Sequence, residues 1–210
     1  MHVLNEKGER VINEVGEMVV TEPMPSMPIG FWNDPRGIRY HTTYFDLYPG
    51  VWRQGDWARF TERGTSIVTG RSDATLNRGG VRLGSGDFYA VLEEMPEVTE
   101  AIIVHLEDPA GGLGELLLFV VLREGRELDD ELQAEIKATL AANLSPRHVP
   151  DRIVAAPAVP KTMTGKRLEL PVKRVLQGVP AEAAASRDAL LQPEALDWFA
   201  RFAATRVTTN

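Results

Sequence analysis

The chain has 210 residues, of which 43% are hydrophobic, and a formal net charge of -7. That length allows one ordinary domain or two small ones with a sizeable core. The chain has no cysteine, which excludes disulfides and thiolate metal sites, and its negative charge disfavours nucleic acid as a partner. The longest apolar run, 116–122, is far shorter than the ~20 residues of a membrane span, so we expect no membrane partner and a cytoplasmic location.

The first part of the chain, 1–72, is predicted to be β-rich. GEMVVTE over 16–22 reads as a short strand, and 51–69 reads as two strands around a turn at 62–64. The prolines between Pro23 and Pro35 exclude a regular helix or a central strand there. That segment is therefore expected to be a fixed loop, which must pack against something if its Met24, Met27, Phe31 and Trp32 are to leave water.

The middle part, 73–178, alternates helix and strand patterns and predicts a compact α+β domain. The turn-forming Asn-Arg-Gly-Gly at 77–80 predicts a hairpin, and Ser85 is predicted to cap the helix that follows. A three-stranded sheet with helices is expected from the remaining elements. They are strands over 101–106, 116–122 and 152–155, a helix opened by Asp129, Asp130 and Glu131 and ended by Pro146, and a short helix near Pro171.

The last part, 179–210, is Ala-rich and reads as a linker followed by one helix over about 193–205. Leu196, Phe199 and Ala203 fall on one face of that helix. The predicted organisation is therefore 1–72, 73–178 and a C-terminal extension over 179–210.

Asp56 and Arg71 are the first candidates for a binding site. They would become neighbours if the two strands over 51–69 fold back on each other. A carboxylate and a guanidinium at adjacent strand ends can hold the hydroxyls of a ribose. The alternative is an ordinary surface ion pair worth about 0–1 kcal/mol.

Two further segments carry glycines beside basic residues. Gly79, Gly80 and Arg82 could bring backbone and guanidinium close to a phosphate, although an ordinary glycine hairpin explains them equally well. Lys166 follows a glycine in the loop PKTMTGK and could swing onto a carboxylate or phosphate, or be merely solvated. Neither segment is a dinucleotide fingerprint or a P-loop, and the four histidines show no metal-ligand spacing.

Three of these motifs occur in a fixed succession: Gly55-Asp56, GRSDATLNRGGVRLG over 70–84, and PKTMTGK over 160–166. Together they resemble the adenylate-forming acyl-CoA synthetases, whose GD motif, GRxDxxLNxxGxRLG segment and PKTxxGK loop follow in that order. Within that family, EPMPSMPIGFWNDP, YFDLYPGVW and SPRHVP resemble the acetoacetyl-CoA synthetases. The resemblance covers nearly the whole chain, although Gln54 stands where a histidine is common. It implies a β-rich remnant of a large AMP-binding domain followed by the small mobile C-terminal domain.

The resemblance also implies a reaction and its substrates. In the family, a carboxylate attacks the α-phosphate of ATP to give an acyl adenylate and diphosphate, and the CoA thiol then displaces AMP. The implied substrates are ATP, CoA and acetoacetate, with Mg²⁺ expected beside ATP but no ligand for it identifiable here. The implied residue roles are ribose binding by Asp56 and Arg71, a phosphate contact by Arg82, adenylation by Lys166, a hinge at Asp73, and CoA binding at Gly79 and Gly80.

The family also needs a Ser/Thr/Gly-rich ATP phosphate loop and an acyl pocket, and neither is recognisable in this sequence. We therefore expect a partner in the form of a missing N-terminal domain or a complementing chain, and no activity from the 210 residues alone. A non-catalytic nucleotide- or CoA-binding module, or a ligase for another short carboxylic acid, are the alternatives.

Overall fold

The computed structural model describes residues 1–72, 76–78 and 81–207, except for the side chains of 77, 81, 82 and 207. The chain folds as two compact units, Met1–Asp73 and Ala74–Asn210. The described parts of both units combine strands and helices, which confirms the mixed α and β class expected from the sequence.

The first unit is built on a four-stranded antiparallel sheet with strands in chain order. Its elements are β1 His2–Leu4, β2 Val15–Val20, α1 Ile38–Tyr44, β3 Trp52–Phe60 and β4 Ser66–Arg71. The turn between β3 and β4 lies where the sequence predicted it, since the Gly64 amide donates to the Thr61 carbonyl at 3.0 Å. Glycine suits that turn because its φ is +77°.

The proline-rich segment forms a loop without regular structure, as predicted, but α1 follows it and was not foreseen. Phe31 packs edge-on against Tyr40, and Tyr44 stacks on Trp52 with 3.7 Å between ring centroids. Trp32 of this loop does not leave water, since it is 90% exposed. The aromatic residues of α1 therefore hold the loop onto β3, but part of the loop stays exposed.

The second unit contains a hairpin, a three-stranded sheet and helices. The hairpin strands are β5 Leu76–Arg78 and β6 Val81–Leu83; the sheet strands are β7 Val98–Leu106, β8 Glu115–Leu122 and β9 Arg152–Ala155. Strand β8 pairs antiparallel with β7 and parallel with β9. The helices are α2 Ser85–Leu92, α3 Asp130–Asn143, α4 Glu169–Leu176, α5 Ala181–Ala184 and α6 Pro193–Val207, with short 3-10 turns at Pro146–His148 and Arg187–Ala189.

The first residues of α3 and α2 test the helix caps predicted from the sequence. The Asp129 side chain caps α3 by accepting a hydrogen bond from the Leu132 amide at 2.8 Å, as the acidic run predicted. The predicted cap at Ser85 is wrong, because Gly84 occupies the cap position of α2 without a side-chain bond. Ser85 is instead the first helical residue and is buried.

The three-stranded sheet is buried on both faces, which explains why its strands read as unbroken apolar runs. Alternate side chains point to opposite faces of a strand, so Leu118 of β8 packs with α2 and α3 whereas Phe119 packs with α4 and α6. The C-terminal segment thus covers part of the sheet face on which Phe119 lies. Its contributing residues are Ala181, Ala184, Leu190, Leu196 and Phe199.

Candidate functional site

The predicted pair of Asp56 and Arg71 is brought together in the first unit. Asp56 on β3 and Arg71 at the end of β4 are direct partners in the strand register. Nη1 of Arg71 lies 3.4 Å from Oδ1 of Asp56, with half of the arginine side chain exposed. A partly exposed carboxylate beside a guanidinium can accept hydrogen bonds from vicinal hydroxyls while the guanidinium donates to a second group.

A buried carboxylate beneath this pair was not foreseen from the sequence. Glu17 on β2 is 2% exposed, and its Oε1 accepts hydrogen bonds from the Gly55 amide at 3.1 Å and the Ser72 hydroxyl at 2.8 Å. Its Oε2 lies 3.1 Å from Nε of Arg53. Glu17 therefore fixes the two chain segments that carry Asp56 and Arg71.

The register of β2 explains why pattern reading missed Glu17. The pairing of β2 with β3 is irregular between Glu17 and Val19, so inward and outward positions do not simply alternate. The only sequence signal was a lone charge in an otherwise apolar strand, GEMVV.

An open cleft of about 710 Å³ adjoins the pair within the first unit. The cleft combines thioether, aromatic and guanidinium groups, so it presents apolar surface beside positive charge. Its lining includes Met18, Met24, Tyr44, Trp52, Gly55 and Arg71.

Lys166 lies in the second unit, at the end of a tight turn over Pro160–Lys166, which we call the lysine turn. The Thr162 amide donates to the Lys166 carbonyl at 2.9 Å, and the Thr162 hydroxyl accepts from the Lys166 amide at 3.1 Å. Gly165 has a φ of +81°, which a glycine adopts without strain. The backbone of Lys166 is thus fixed, whereas the residue itself is exposed.

The chain that leaves the lysine turn is anchored at Arg167. The Arg167 guanidinium lies 4.1 Å from the ring centre of Tyr89 and 2.7 Å from Oε1 of Glu93. The buried Tyr89 hydroxyl donates to Oε1 of Glu169 at 2.7 Å. Burial, and then the neighbouring Glu169 charge, raise the pKa of Tyr89, so this phenol stays protonated and can donate that bond.

The remaining predicted site residues are less fully described. Asp73, Gly79 and Gly80 lie outside the described residues. Arg82 pairs with Asn77 through its backbone in the β5–β6 hairpin, but its side chain is not among those described.

Among the residues that the structure describes, no group of three or more histidine, aspartate and glutamate side chains could hold a metal ion. Across the same residues, no helix has the length and apolarity needed to cross a bilayer.

Comparison with known proteins finds a family match within the second unit. Residues 90–166 match the model of the AMP-binding enzyme C-terminal domain. The match includes the lysine turn up to Lys166, and it confirms the family resemblance stated above.

Similar proteins extend the match beyond the AMP-binding enzyme C-terminal domain. An acetoacetyl-coenzyme A synthetase from Rhizobium meliloti is 45% identical over 94% of this chain and 30% of its own length. An acetoacetyl-CoA synthetase structure from Streptomyces lividans is 48% identical, with a TM-score of 0.88 over 98% of this chain and 30% of that one. The chain thus spans about 30% of the length of these relatives.

A more distant structure shares the same architecture. An amide bond synthetase from Marinactinospora thermotolerans is 27% identical, with a TM-score of 0.61 over 79% of this chain and 32% of that one. Its name describes a different product, so the shared fold alone does not specify which nucleophile accepts the acyl group.

Proposed function

We propose that the chain is the C-terminal part of an ATP-dependent acid–CoA ligase. The reaction is acetoacetate, ATP and CoA to acetoacetyl-CoA, AMP and diphosphate through an acyl adenylate. The observation that carries the proposal is the Asp56–Arg71 register pair, found in a chain similar over 94% of its length to an acetoacetyl-coenzyme A synthetase. Asp56 would accept from the ribose hydroxyls of AMP, and Arg71 would donate to them.

Lys166 would act in the adenylation step. Negative charge builds up on the phosphate oxygens as the carboxylate attacks, so a nearby ammonium stabilises that transition state more than the ground state. A fixed backbone with an exposed side chain suits this task, since the ammonium is accessible to a substrate.

Three other roles rest on the motif alone. Arg82 would approach the nucleotide phosphates, and Asp73 would be the hinge that moves the small domain between the two half-reactions. Gly79 and Gly80 would face the CoA pantetheine. Mg²⁺ would accompany ATP, held by groups other than those described here.

The choice of acetoacetate as the acid rests on the names of the relatives. Acid selection depends on the pocket that surrounds the acyl chain, and one methylene changes binding by only about 1–3 kcal/mol. We propose a cytoplasmic location. Acetoacetate as a substrate also implies a role in lipid and ketone-body metabolism. The 210 residues alone are expected to be inactive because no ATP phosphate loop is recognisable among them.

The test uses a hybrid synthetase, in which this chain replaces the matching 30% of the Rhizobium meliloti relative. We expect the hybrid to form AMP and a CoA thioester with acetoacetate. Lys166→Ala is expected to slow diphosphate release about 100-fold or more, the usual effect of removing one transition-state donor. Thioester formation from a synthetic acyl adenylate should remain nearly unchanged.

Lys7→Ala, at an exposed lysine of the first unit, is the control and should leave both half-reactions intact. A folded hybrid that makes no thioester from acetoacetate would reject the proposed reaction. Turnover with another short acid instead would redirect the proposal to that substrate.

A further inference from the structure

Residues 189–191 of the C-terminal segment form backbone hydrogen bonds with the lysine turn. The Leu191 amide donates to the Lys161 carbonyl at 2.9 Å, and the Met163 amide donates to the Ala189 carbonyl at 3.1 Å. Thr162 and Leu190 form an antiparallel bridge between these two bonds. Thr162 is thus held on one side by Lys166 and on the other by residues 189–191.

Residues 189–191 are themselves tied to the core of the second unit. Leu190 is 5% exposed and belongs to the apolar cluster that also contains Leu196 and Phe199 of α6. Nη1 of Arg187 lies 2.8 and 3.1 Å from the two carboxylate oxygens of Asp197, also on α6. Because α6 packs on the central sheet, the turn is connected through this segment to a rigid element.

The other edge of the lysine turn has its own side-chain anchors. Nζ of Lys161 lies 2.5 Å from Oε1 of Glu100 on β7, and Arg167 stacks on Tyr89 of α2. These side-chain contacts hold Lys161 and the residue just after the turn, whereas the backbone bonds join Lys161 to Leu191 and Met163 to Ala189. Loss of those bonds would therefore free the part of the turn that contains Thr162 and Met163.

We propose that the segment 187–191 positions Lys166 for the adenylation half-reaction, an inference that rests on the proposed function. A lysine side chain is long and flexible, so its ammonium reaches one place reliably only when the backbone beneath it is fixed. Small displacements of a reacting group reduce rates steeply. The segment is a positioning element, since its own atoms need not touch the substrate.

Leu191→Pro removes the amide that donates to Lys161 and is the informative variant. Leu191 is 53% exposed, so its side chain contributes little to the core. The preceding Leu190 has φ -99° and ψ 137°, a conformation that proline allows in the residue before it. Leu191→Ala is the matched control, because it shortens the side chain but keeps the amide.

The first readout uses the 210-residue chain and measures hydrogen exchange of the Met163 amide, which donates to Ala189. We expect roughly tenfold faster exchange in Leu191→Pro, because local opening costs less when one of the two edge bonds is lost. Leu191→Ala should exchange at the wild-type rate. Equal exchange in the proline variant and the wild type would overturn the proposal.

The second readout measures the two half-reactions separately in the hybrid synthetase. Leu191→Pro should slow diphosphate release roughly tenfold and change thioester formation from the acyl adenylate by less than about twofold. A general folding defect would slow both half-reactions, and that result would overturn the positioning role.

Lys166→Ala, measured in parallel, separates this inference from the proposed function. If it adenylates as fast as the wild type, the role of Lys166 fails and the positioning role fails with it. If it is slow while Leu191→Pro is unimpaired, only the positioning role is rejected.

Discussion

The guanidinium of Arg71 lies so close to Gly55 that a methyl group on the glycine would come within 2.8 Å of Nη2. Gly55 has a φ of +83° and immediately precedes Asp56. Two separate constraints thus require the glycine of the GD motif: its positive φ and the arginine that packs over it.

Gly55→Ala is expected to cost the first unit about 1–2 kcal/mol of stability through its positive φ. It should also displace the Arg71 side chain and weaken AMP binding to the hybrid synthetase roughly tenfold. Urea unfolding and titration calorimetry with AMP would measure these two effects.

Gly64→Ala provides the matched control for that substitution. Gly64 has a similar φ of +77°, but an added methyl group would meet nothing within 4 Å. It should therefore lose comparable stability and keep wild-type AMP affinity. Equal loss of AMP affinity in both variants would show that backbone strain, and not the arginine, is responsible.

The sequence predicted those parts of the fold that local patterns determine. The β5–β6 hairpin, the capped start of α3 and the bounds of β9 follow from turn residues, an aspartate cap and a short apolar run. Helix α1 was missed because its seven residues include no buried side chain and no acidic residue in the first turn. Such a helix shows no apolar periodicity and depends on ring contacts with β3.

The same difference between local and long-range signals applies to the candidate site residues. Asp56, Arg71 and Lys166 could be proposed from the sequence because each lies in a motif of adjacent residues. Glu17 could not, because its partners Gly55 and Ser72 are 38 and 55 residues away along the chain. The bonds from residues 189–191 to the lysine turn were missed because backbone hydrogen bonds leave no mark on side-chain identity.

Glu17→Ala is expected to destabilise the first unit by about 3 kcal/mol, because it leaves Arg53 without its buried carboxylate partner. Glu17→Gln should cost less, about 1 kcal/mol, since an amide oxygen can still accept from Gly55 and Ser72. Both can be measured by fluorescence-detected urea unfolding in a Trp198→Phe background, where the remaining tryptophans all lie in the first unit. Equal stability of the alanine variant and its parent would contradict this role.

Tyr89→Phe is expected to destabilise the second unit by about 1–3 kcal/mol, the cost of losing buried hydrogen bonds. The variant keeps the ring under Arg167 but removes the hydroxyl bound to Glu169 and to the Ile103 amide. Far-ultraviolet circular dichroism during urea unfolding would measure the loss.

Tyr40→Phe is the control for that hydroxyl deletion. The Tyr40 hydroxyl donates to the Pro28 carbonyl at 2.8 Å in an exposed bond. Its removal should change stability by no more than about 0.5 kcal/mol. A loss as large as that of Tyr89→Phe would show that burial is not the deciding factor.

His148 should make the second unit less stable in mild acid. Its Nδ1 lies 2.8 Å from the Ser145 hydroxyl, and its ring centre lies 5.0 Å from that of Phe88. Burial lowers the pKa of His148, with the charge of Asp87 opposing the shift. Below about pH 6.5, the ordinary value, the unfolded state therefore binds more protons than the folded state.

The stability that a neutral His148 contributes is complete above about pH 6.5 and is lost as the pH falls through the lower folded value. In His148→Gln, which cannot titrate, the decrease in stability between about pH 7.5 and about pH 5.5 should become smaller. Urea unfolding followed by circular dichroism at both pH values measures this difference. An unchanged decrease in His148→Gln would refute the assignment.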